Sequence, residues 1–94
     1  MRSSLVNIHQ NRKLRIFAAI IDKGTLSDAA EHIGITQPAV SVTLSQLENE
    51  LGKLVDRAIG RGKVRPTELG MKIYRMAKKI QALEDLMASA GGAV

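Results

Sequence analysis

The sequence predicts a mainly helical fold class: three helices, a small two-stranded hairpin, and then one long helix. Apolar residues recur at the spacing of a helix in four segments of the chain. A threonine suited to capping a helix start precedes each of the last three segments, and short extended runs around glycines separate the third from the fourth. The 94 residues are enough for one small domain with a single protruding element.

The first two helices are predicted from apolar stripes that end at glycines. On the first helix the stripe has the spacing i, i+3, i+4, i+7: Leu14, Phe17, Ala18 and Ile21. Gly24 is expected to end this helix, and Thr25 with Asp28 resembles a capping box that begins the next one. The second helix repeats the same spacing before Gly34: Leu26, Ala29, Ala30 and Ile33.

The third helix follows the second after a very short turn. Thr36 is its expected N-cap, and Pro38 lies in the first turn, where a missing N–H has no consequence. Its apolar stripe ends before Gly52 and consists of Val40, Leu44, Leu47 and Leu51. Two capped helices joined by so short a turn are typical of a helix-turn-helix, here over about residues 25–44. Short helical hairpins in other folds share this pattern and remain an alternative.

The residues after Gly52 are predicted to form a hairpin. Leu54–Arg57 and Lys63–Arg65 are candidate strands around the turn-forming residues 60–62. In an extended strand Lys63 and Arg65 share one face while Val64 faces inward, and Pro66 is expected to stop further strand pairing. The segment from about 53 to 66 is therefore interpreted as the basic wing of a winged helix-turn-helix domain spanning residues 1–66. The alternative is a solvated surface hairpin.

The last helix, residues 67–90, carries a heptad seam. Thr67 is its expected N-cap, and the seam residues are spaced 3, 4, 3, 4, 3: Ile73, Met76, Ile80, Leu83, Met87 and Ala90. From Glu68 to Ser89 such a helix spans about 33 Å and extends beyond a core built from the preceding residues. We expect the helix to pair with a second copy in a homodimer through Ile73, Met76, Ile80, Leu83 and Met87. The alternative is that it folds back on its own domain, and residues 91–94 are expected to form a flexible tail.

Composition and charge narrow the possible functions. The chain has 14 basic and 9 acidic residues; nine basic residues lie between Lys53 and Lys79, whereas residues 27–51 contain no lysine or arginine. This clustering favours a polyanionic partner, either nucleic acid or an acidic membrane surface. The chain lacks cysteine, a membrane-spanning apolar run and a secretory signal, so a soluble cytoplasmic protein is expected. His9 and His32 have no further histidine, cysteine or carboxylate at a spacing that suits a metal site, and the sequence shows no set of catalytic side chains. We therefore predict no metal, no cofactor and no enzyme activity.

The polar side of the third helix is the predicted contact with double-stranded DNA. If the leucines face the core, five residues near the helix start face the major groove: Gln37, Pro38, Ser41, Val42 and Ser45. Phosphate contacts are expected from a second group: Thr25, Ser27, Thr36, Arg61, Lys63 and Arg65. The basic residues of the first helix, Arg12, Lys13 and Arg15, are expected to add sequence-independent attraction.

Several motifs together resemble the LysR-type transcriptional regulators. The motifs are FAA at 17–19, GTLSDAA at 24–30, TQPAVS at 36–41, LE at 47–48, LG at 51–52, LVDR at 54–57 and PTELG at 66–70, and they cover about residues 8–90. The resemblance implies a winged helix-turn-helix, a linker helix that pairs antiparallel with its twin, and binding to interrupted palindromes near promoters. It also implies a cytoplasmic, nucleoid-associated protein with no membrane contact.

This chain departs from the family pattern in composition and length. Val42 and Ser45 stand where the family usually has basic or amide side chains, and Val55 replaces a customary phenylalanine. Family members carry a C-terminal effector-sensing domain, so we expect the DNA-binding part of a longer regulator, with any small-molecule effector bound in that missing domain. A stand-alone repressor is the alternative.

Two other interpretations predict different behaviour. In a helical interaction adaptor, the seam binds a protein and the basic hairpin only increases solubility. A molybdate-responsive regulator has a similar winged helix, but the TQPAVS motif disfavours it.

Overall fold

The structure, a computed structural model, describes residues 8–57 and 62–92 of the chain. Within these residues the chain forms four helices and one small antiparallel sheet. Their bounds are α1 Ile8–Lys23, α2 Leu26–Ile33, α3 Gln37–Leu51, β1 Val55–Asp56, β2 Arg65–Pro66 and α4 Glu68–Gly92. The predicted fold class, three helices and a two-stranded wing followed by a long helix, is confirmed.

Side-chain caps fix the helix-turn-helix formed by α2 and α3. The Thr25 hydroxyl accepts a hydrogen bond from the Asp28 N–H at 3.0 Å, and the Thr36 hydroxyl accepts one from the Ala39 N–H at 3.3 Å. Gly34 ends α2 with a φ of 87°, a left-handed conformation that glycine adopts without steric cost. Both predicted N-caps and the short connection are therefore confirmed.

The hydrophobic core lies where α1, α2 and α3 meet the segment after α3. Its largest fully buried side chains are Phe17, Ile20, Val40, Leu44, Leu47, Leu54 and Val55. The buried face of α1 is wider than predicted, because Ile16, Ala19 and Ile20 join it. Leu51, predicted to lie in the core, is 39% exposed. That prediction is wrong because Leu51 is the last residue of α3, and Leu54 and Val55 provide the next core contacts after the turn.

The wing consists of two short antiparallel strands, β1 and β2. Val55 pairs with Pro66, and Asp56 pairs with Arg65, in the antiparallel sheet. The ladder ends at Pro66, as predicted, since proline is tolerated on this edge strand but carries no N–H. One further backbone hydrogen bond, from the Thr67 N–H to the Leu54 carbonyl at 3.0 Å, follows it. Arg61, predicted to lie in the turn of the hairpin, is outside the described residues.

Helix α4 begins against β1. The Thr67 hydroxyl accepts a hydrogen bond from the Gly70 N–H at 3.0 Å and donates one to the Lys53 carbonyl at 2.7 Å. Gly70 is buried so closely against this segment that a Cβ atom there would lie 1.9 Å from the Leu54 carbonyl oxygen. The helix continues to Gly92, two residues beyond the predicted end, because backbone hydrogen bonds of a last turn need no side chain.

Polar contacts hold α4 antiparallel to α1. Near the end of α1, the Asp22 carboxylate accepts hydrogen bonds from the Tyr74 hydroxyl and from Lys78, the latter at 3.1 Å. In the middle of α1, Arg15 donates to Glu84 at 2.7 Å. Burial raises the pKa of Asp22, but the bonds from Tyr74 and Lys78 outweigh burial and leave this pKa below its ordinary value. The hydrogen bond to Asp22 raises the pKa of both Tyr74 and Lys78.

Candidate nucleic-acid interface

The N-terminal half of α3 has a fully buried back and an exposed, uncharged front. Val40, Leu44 and Leu47 have no exposed surface and fix the helix against α1 and α2. Opposite them, Val42 is 56% exposed. The other predicted base-facing residues are also accessible: Gln37, Pro38 and Ser45 are exposed, and Ser41 is half-buried. This front combines amide, hydroxyl and apolar groups, which are the groups that read base edges in the major groove.

The two capping threonines keep a donor for a phosphate. In both Thr25 and Thr36 the hydroxyl oxygen accepts a backbone N–H, which leaves the hydroxyl proton of each side chain able to donate to a second acceptor. Thr36 is exposed and Thr25 is half-buried. Both stand at helix starts, where backbone N–H groups and the helix dipole also favour an anion.

The Ser27 hydroxyl makes a contact that the sequence did not predict. It donates to the Oε1 atom of Gln37 at 3.3 Å, across the turn of the helix-turn-helix. Both side chains are exposed. A residue assigned to phosphate contact thus touches a residue assigned to base readout. Ten residues separate the two in the chain, so spacing along either helix gives no signal of this contact.

The second wing strand lies beside the start of α2. Thr25 and Lys63 form an isolated antiparallel bridge, and the Val64 N–H donates to the Gly24 carbonyl at 2.9 Å. As predicted, Val64 is buried whereas Lys63 and Arg65 are exposed. The structure therefore brings Lys63 next to the helix-turn-helix, and Arg65 follows two residues along. Arg61 lies outside the described residues.

The basic residues of α1 are less available than predicted. Arg15 contacts Glu84 at 2.7 Å and Asp85 at 3.8 Å, and Lys13 lies 3.8 Å from Glu50. These acidic neighbours reduce the local positive field, whereas Arg12 is exposed.

Two cations of the wing segment, Lys53 and Arg57, were not assigned to phosphate contact from the sequence. Lys53 and Arg57 are exposed on either side of β1 and line a shallow cleft with Glu48 and Val55. The Glu48 carboxylate accepts the Leu54 and Val55 N–H groups at 2.8 and 3.2 Å, which fixes the backbone between the two cations. The sequence signal for such a role was that both belong to the nine basic residues between Lys53 and Lys79.

The seam on α4 is mostly open. Met76, Leu83 and Met87 are 56%, 58% and 65% exposed, and Ile80 is half-buried. Ile73, predicted to be in the seam, also packs on the domain core. Leu86, which the heptad pattern did not include, is 66% exposed.

Other kinds of site find no support in the described parts of the chain. Across residues 8–57 and 62–92, no three histidine or acidic side chains cluster in a way that suits a metal ion. In the same residues, no helix is both long and apolar enough to span a membrane.

Comparison with known proteins identifies relatives of this chain. A family model described as bacterial regulatory helix-turn-helix protein, lysR family, matches residues 11–71. The probable HTH-type transcriptional regulator LrrA of Synechococcus elongatus is 37% identical over 73 residues, which are 78% of this chain and 24% of that protein. The probable regulator LtrA of Klebsiella pneumoniae is 38% identical over 88 residues, 92% of this chain and 28% of that protein. The chain thus spans about a quarter of the length of these curated relatives.

Solved structures share the fold. A complex of the BenM DBD with catB site 1 DNA superposes with a TM-score of 0.80 at 33% identity, covering 88% of this chain and 91% of that one. A CbnR DBD–DNA complex gives a TM-score of 0.77 at 25% identity, covering 88% and 94%. The family and the curated relatives are transcriptional regulators rather than enzymes, in agreement with the prediction. The chain belongs to the lysR family of bacterial regulatory helix-turn-helix proteins.

Proposed function

We propose that this chain binds double-stranded DNA sequence-specifically as a dimer and thereby regulates transcription. One observation carries the proposal: an uncharged, exposed front of α3 stands on a fully buried back, with a basic wing strand beside it. The complexes of the BenM and CbnR DBDs with DNA support it, because both share this fold over most of their length.

The front of α3 would read bases in the major groove. The Gln37 amide has the donor and acceptor needed to bond adenine N6 and N7, and Val42 offers a methyl surface to the thymine methyl group. Ser41 and Ser45 would bond bases or phosphates, and Pro38 would pack against the groove beside Gln37.

Phosphates would be held mainly by the wing and by the helix starts. Lys63 and Arg65, together with Arg61, supply charge, and Thr25 and Thr36 supply hydroxyl and backbone donors. Residues 27–51 carry no lysine or arginine, so affinity that is independent of sequence depends on the wing.

The α4 seam would join two copies. The face of α4 toward α1 is centred on buried Ala77, about 100° around the helix from Met76, so α1 leaves the seam open. In the antiparallel arrangement that the family resemblance implies, Met76 of one copy can lie against Met87 of the other, and Ile80 against Leu83. Two binding units related by a two-fold axis suit an interrupted palindrome.

The remaining parts of the proposal concern the whole regulator. Binding to promoter DNA places the protein at the bacterial nucleoid, in the cytoplasm. Any response to a small-molecule effector is expected from the part of the relatives that this chain does not match, since it aligns with only 24% of LrrA and 28% of LtrA.

Selection of bound sequences from random duplexes tests the proposal most directly. We expect an interrupted palindrome, whose spacing reports the distance between the two α3 helices. The affinity for the selected duplex, measured by fluorescence anisotropy, should fall steeply with salt, with a log–log slope of about −0.9 per neutralised phosphate. An affinity that stays flat between low and physiological salt, or a selection without any preferred sequence, would contradict it.

A further inference from the structure

The side chain of Gln37 is held by a partner on the other helix of the helix-turn-helix. We propose that Ser27 is a positioning residue for base readout: its hydroxyl determines how the Gln37 amide is presented to DNA. The inference deepens the proposed function and rests on it, because it requires Gln37 to face the major groove.

The contact leaves the amide able to read a base. The Ser27 hydroxyl donates to Oε1 of Gln37, which uses one of the two lone pairs of that oxygen. The second lone pair and both Nε2 hydrogens remain available, and they are what a bidentate pair with adenine requires. Amide oxygen and nitrogen have similar shapes but opposite hydrogen-bonding roles, so a fixed donor on the oxygen side favours one of the two amide orientations.

Both ends of the contact stand on fixed backbone. Ser27 lies in the first turn of α2, which is capped by Thr25 and joined to the wing through the bond from Val64 to Gly24. Gln37 begins α3 directly after the Thr36 cap, and Pro38 restricts the backbone that follows. A long, exposed glutamine otherwise loses considerable rotamer freedom when it binds a base, and a hydroxyl that already restrains it reduces this loss.

Removal of Ser27 should have different effects on DNA binding if Ser27 positions Gln37 than if it contacts a phosphate. Loss of a phosphate contact weakens binding to all duplexes equally, because phosphates carry no sequence information. Loss of a positioning residue weakens discrimination at one base pair only, the pair read by Gln37.

The experiment compares Ser27→Ala, Gln37→Ala and the double variant on the selected duplex. The dissociation constant is measured for all four base pairs at each half-site position, and the position that Gln37 reads is the one where Gln37→Ala loses discrimination. We expect Ser27→Ala to reduce adenine preference there by roughly threefold to tenfold, in line with the loss of one hydrogen bond. In the Gln37→Ala background, Ser27→Ala should have no further effect on base preference.

Two further variants serve as controls. Ser27→Thr keeps the hydroxyl and should retain the preference. Ser89→Ala removes an exposed hydroxyl from the distal part of α4 and should change nothing. Circular dichroism checks that each variant is folded.

The possible failures can be told apart. A uniform loss over all base pairs in Ser27→Ala, an unchanged preference, or effects that add in the double variant would overturn the role of Ser27 while leaving the proposed function intact. If Gln37→Ala itself kept every base preference, the proposed recognition face would be wrong, and the role of Ser27 would fall with it.

Discussion

At the scale of single residues, the neutral front of α3 limits which bases the protein can read. The commonest specific contact in the major groove is an arginine or lysine with guanine, and α3 contains neither residue. Val42 instead presents an apolar side chain that is 56% exposed, and an exposed valine is best buried against another apolar group. The thymine methyl group is the apolar feature of the groove floor.

Replacing thymine by uracil tests this role of Val42. Uracil lacks only the methyl group, so the wild-type protein should lose about fourfold in affinity at one thymine of the half-site, equivalent to about 0.8 kcal/mol for one buried carbon. Val42→Ala should bind the thymine and uracil duplexes nearly equally. Uracil placed outside the half-site is the control, and an equal loss in both proteins would contradict the contact.

Gly70 is a residue whose role is steric rather than conformational. A Cβ atom at this position would lie 1.9 Å from the Leu54 carbonyl oxygen, so Gly70→Ala forces α4 away from β1. Although alanine favours a helix by about 1 kcal/mol, we expect a net loss of about 1–3 kcal/mol in the free energy of unfolding. Thermal unfolding measures it, at about 4–8 °C per kcal/mol for a domain of this size.

Gly34→Asn is the matched control for Gly70→Ala. Gly34 has a φ of 87°, and a Cβ atom added there would meet no other atom within 4 Å. Asparagine tolerates the left-handed conformation better than most other residues. Gly34→Asn should therefore unfold at a higher temperature than Gly70→Ala. The reverse order would show that α4 does not approach Leu54 so closely.

Hydrophobic periodicity predicted which side chains of one helix are buried, but it did not predict the contacts between two helices. Val40, Leu44 and Leu47 were assigned to the core correctly, because a helix turns by a constant angle per residue. Leu51 was assigned wrongly, since burial at a helix end depends on where the chain goes next. The contact of Ser27 with Gln37 depends on the angle between α2 and α3, which no spacing encodes.

At the scale of elements, the wing is expected to supply affinity without specificity. Arg65 is exposed on β2, two residues from the bridge between Lys63 and Thr25. Arg65→Ala should weaken binding to all duplexes alike and lower the salt slope by about one. Arg75→Ala removes the same charge from an exposed position of α4 and should leave the slope unchanged. A change in base preference, or an equal effect of both variants, would contradict the assignment.

The contact of α4 with α1 should make stability depend on pH. The folded-state pKa of Asp22 is lowered, so its contribution to stability is present above the ordinary pKa of 3.8 and is lost as pH falls through the folded pKa. Asp22 itself and its partner Lys78 are exposed, so we expect a contribution below about 1 kcal/mol. Urea unfolding of wild type and Asp22→Asn between about pH 2 and about pH 7 should show a difference that disappears in acid.

Tyr74→Phe serves as the control for the Asp22 contact. It keeps the ring on α1 but removes the hydroxyl that donates to Asp22. Its stability should fall near neutral pH and approach that of wild type in acid, as for Asp22→Asn. A difference from wild type that persists unchanged in acid would mean that the carboxylate is not what stabilises this packing.

The sequence predicted the elements better than their contacts. The wing was recognisable from glycines and alternating basic residues, but its bridge from Lys63 to Thr25 joins residues that are far apart in the chain. The sequence left packing of α4 on its own domain as an alternative but did not predict α1 as the partner helix, because Asp22, Tyr74 and Lys78 show no pattern in the sequence that links them.

At the scale of the whole molecule, α4 has one face covered by its own chain and one apolar face left exposed. The face centred on Ala77 is covered by α1 of the same chain, and the polar contacts of Asp22 and Glu84 lie at its two ends. The seam, about a quarter turn away, leaves Met76, Leu83 and Met87 more than half exposed. Contiguous exposed apolar side chains of this kind mark an interaction surface.

Charged residues in the seam should separate the two copies. We expect Ile80→Glu combined with Leu83→Glu to sediment as a monomer, because two added charges per copy would meet in the apolar centre of the dimer. The variant should bind the full palindrome more weakly than wild type yet bind a single half-site equally well, since α3 and the wing are unaltered. Ala82→Glu adds a charge at an exposed position more than a quarter turn from both and should remain dimeric. Unchanged dimers in the double variant would show that the copies associate elsewhere, and equal loss on half-sites would show that the seam supports the fold of each copy.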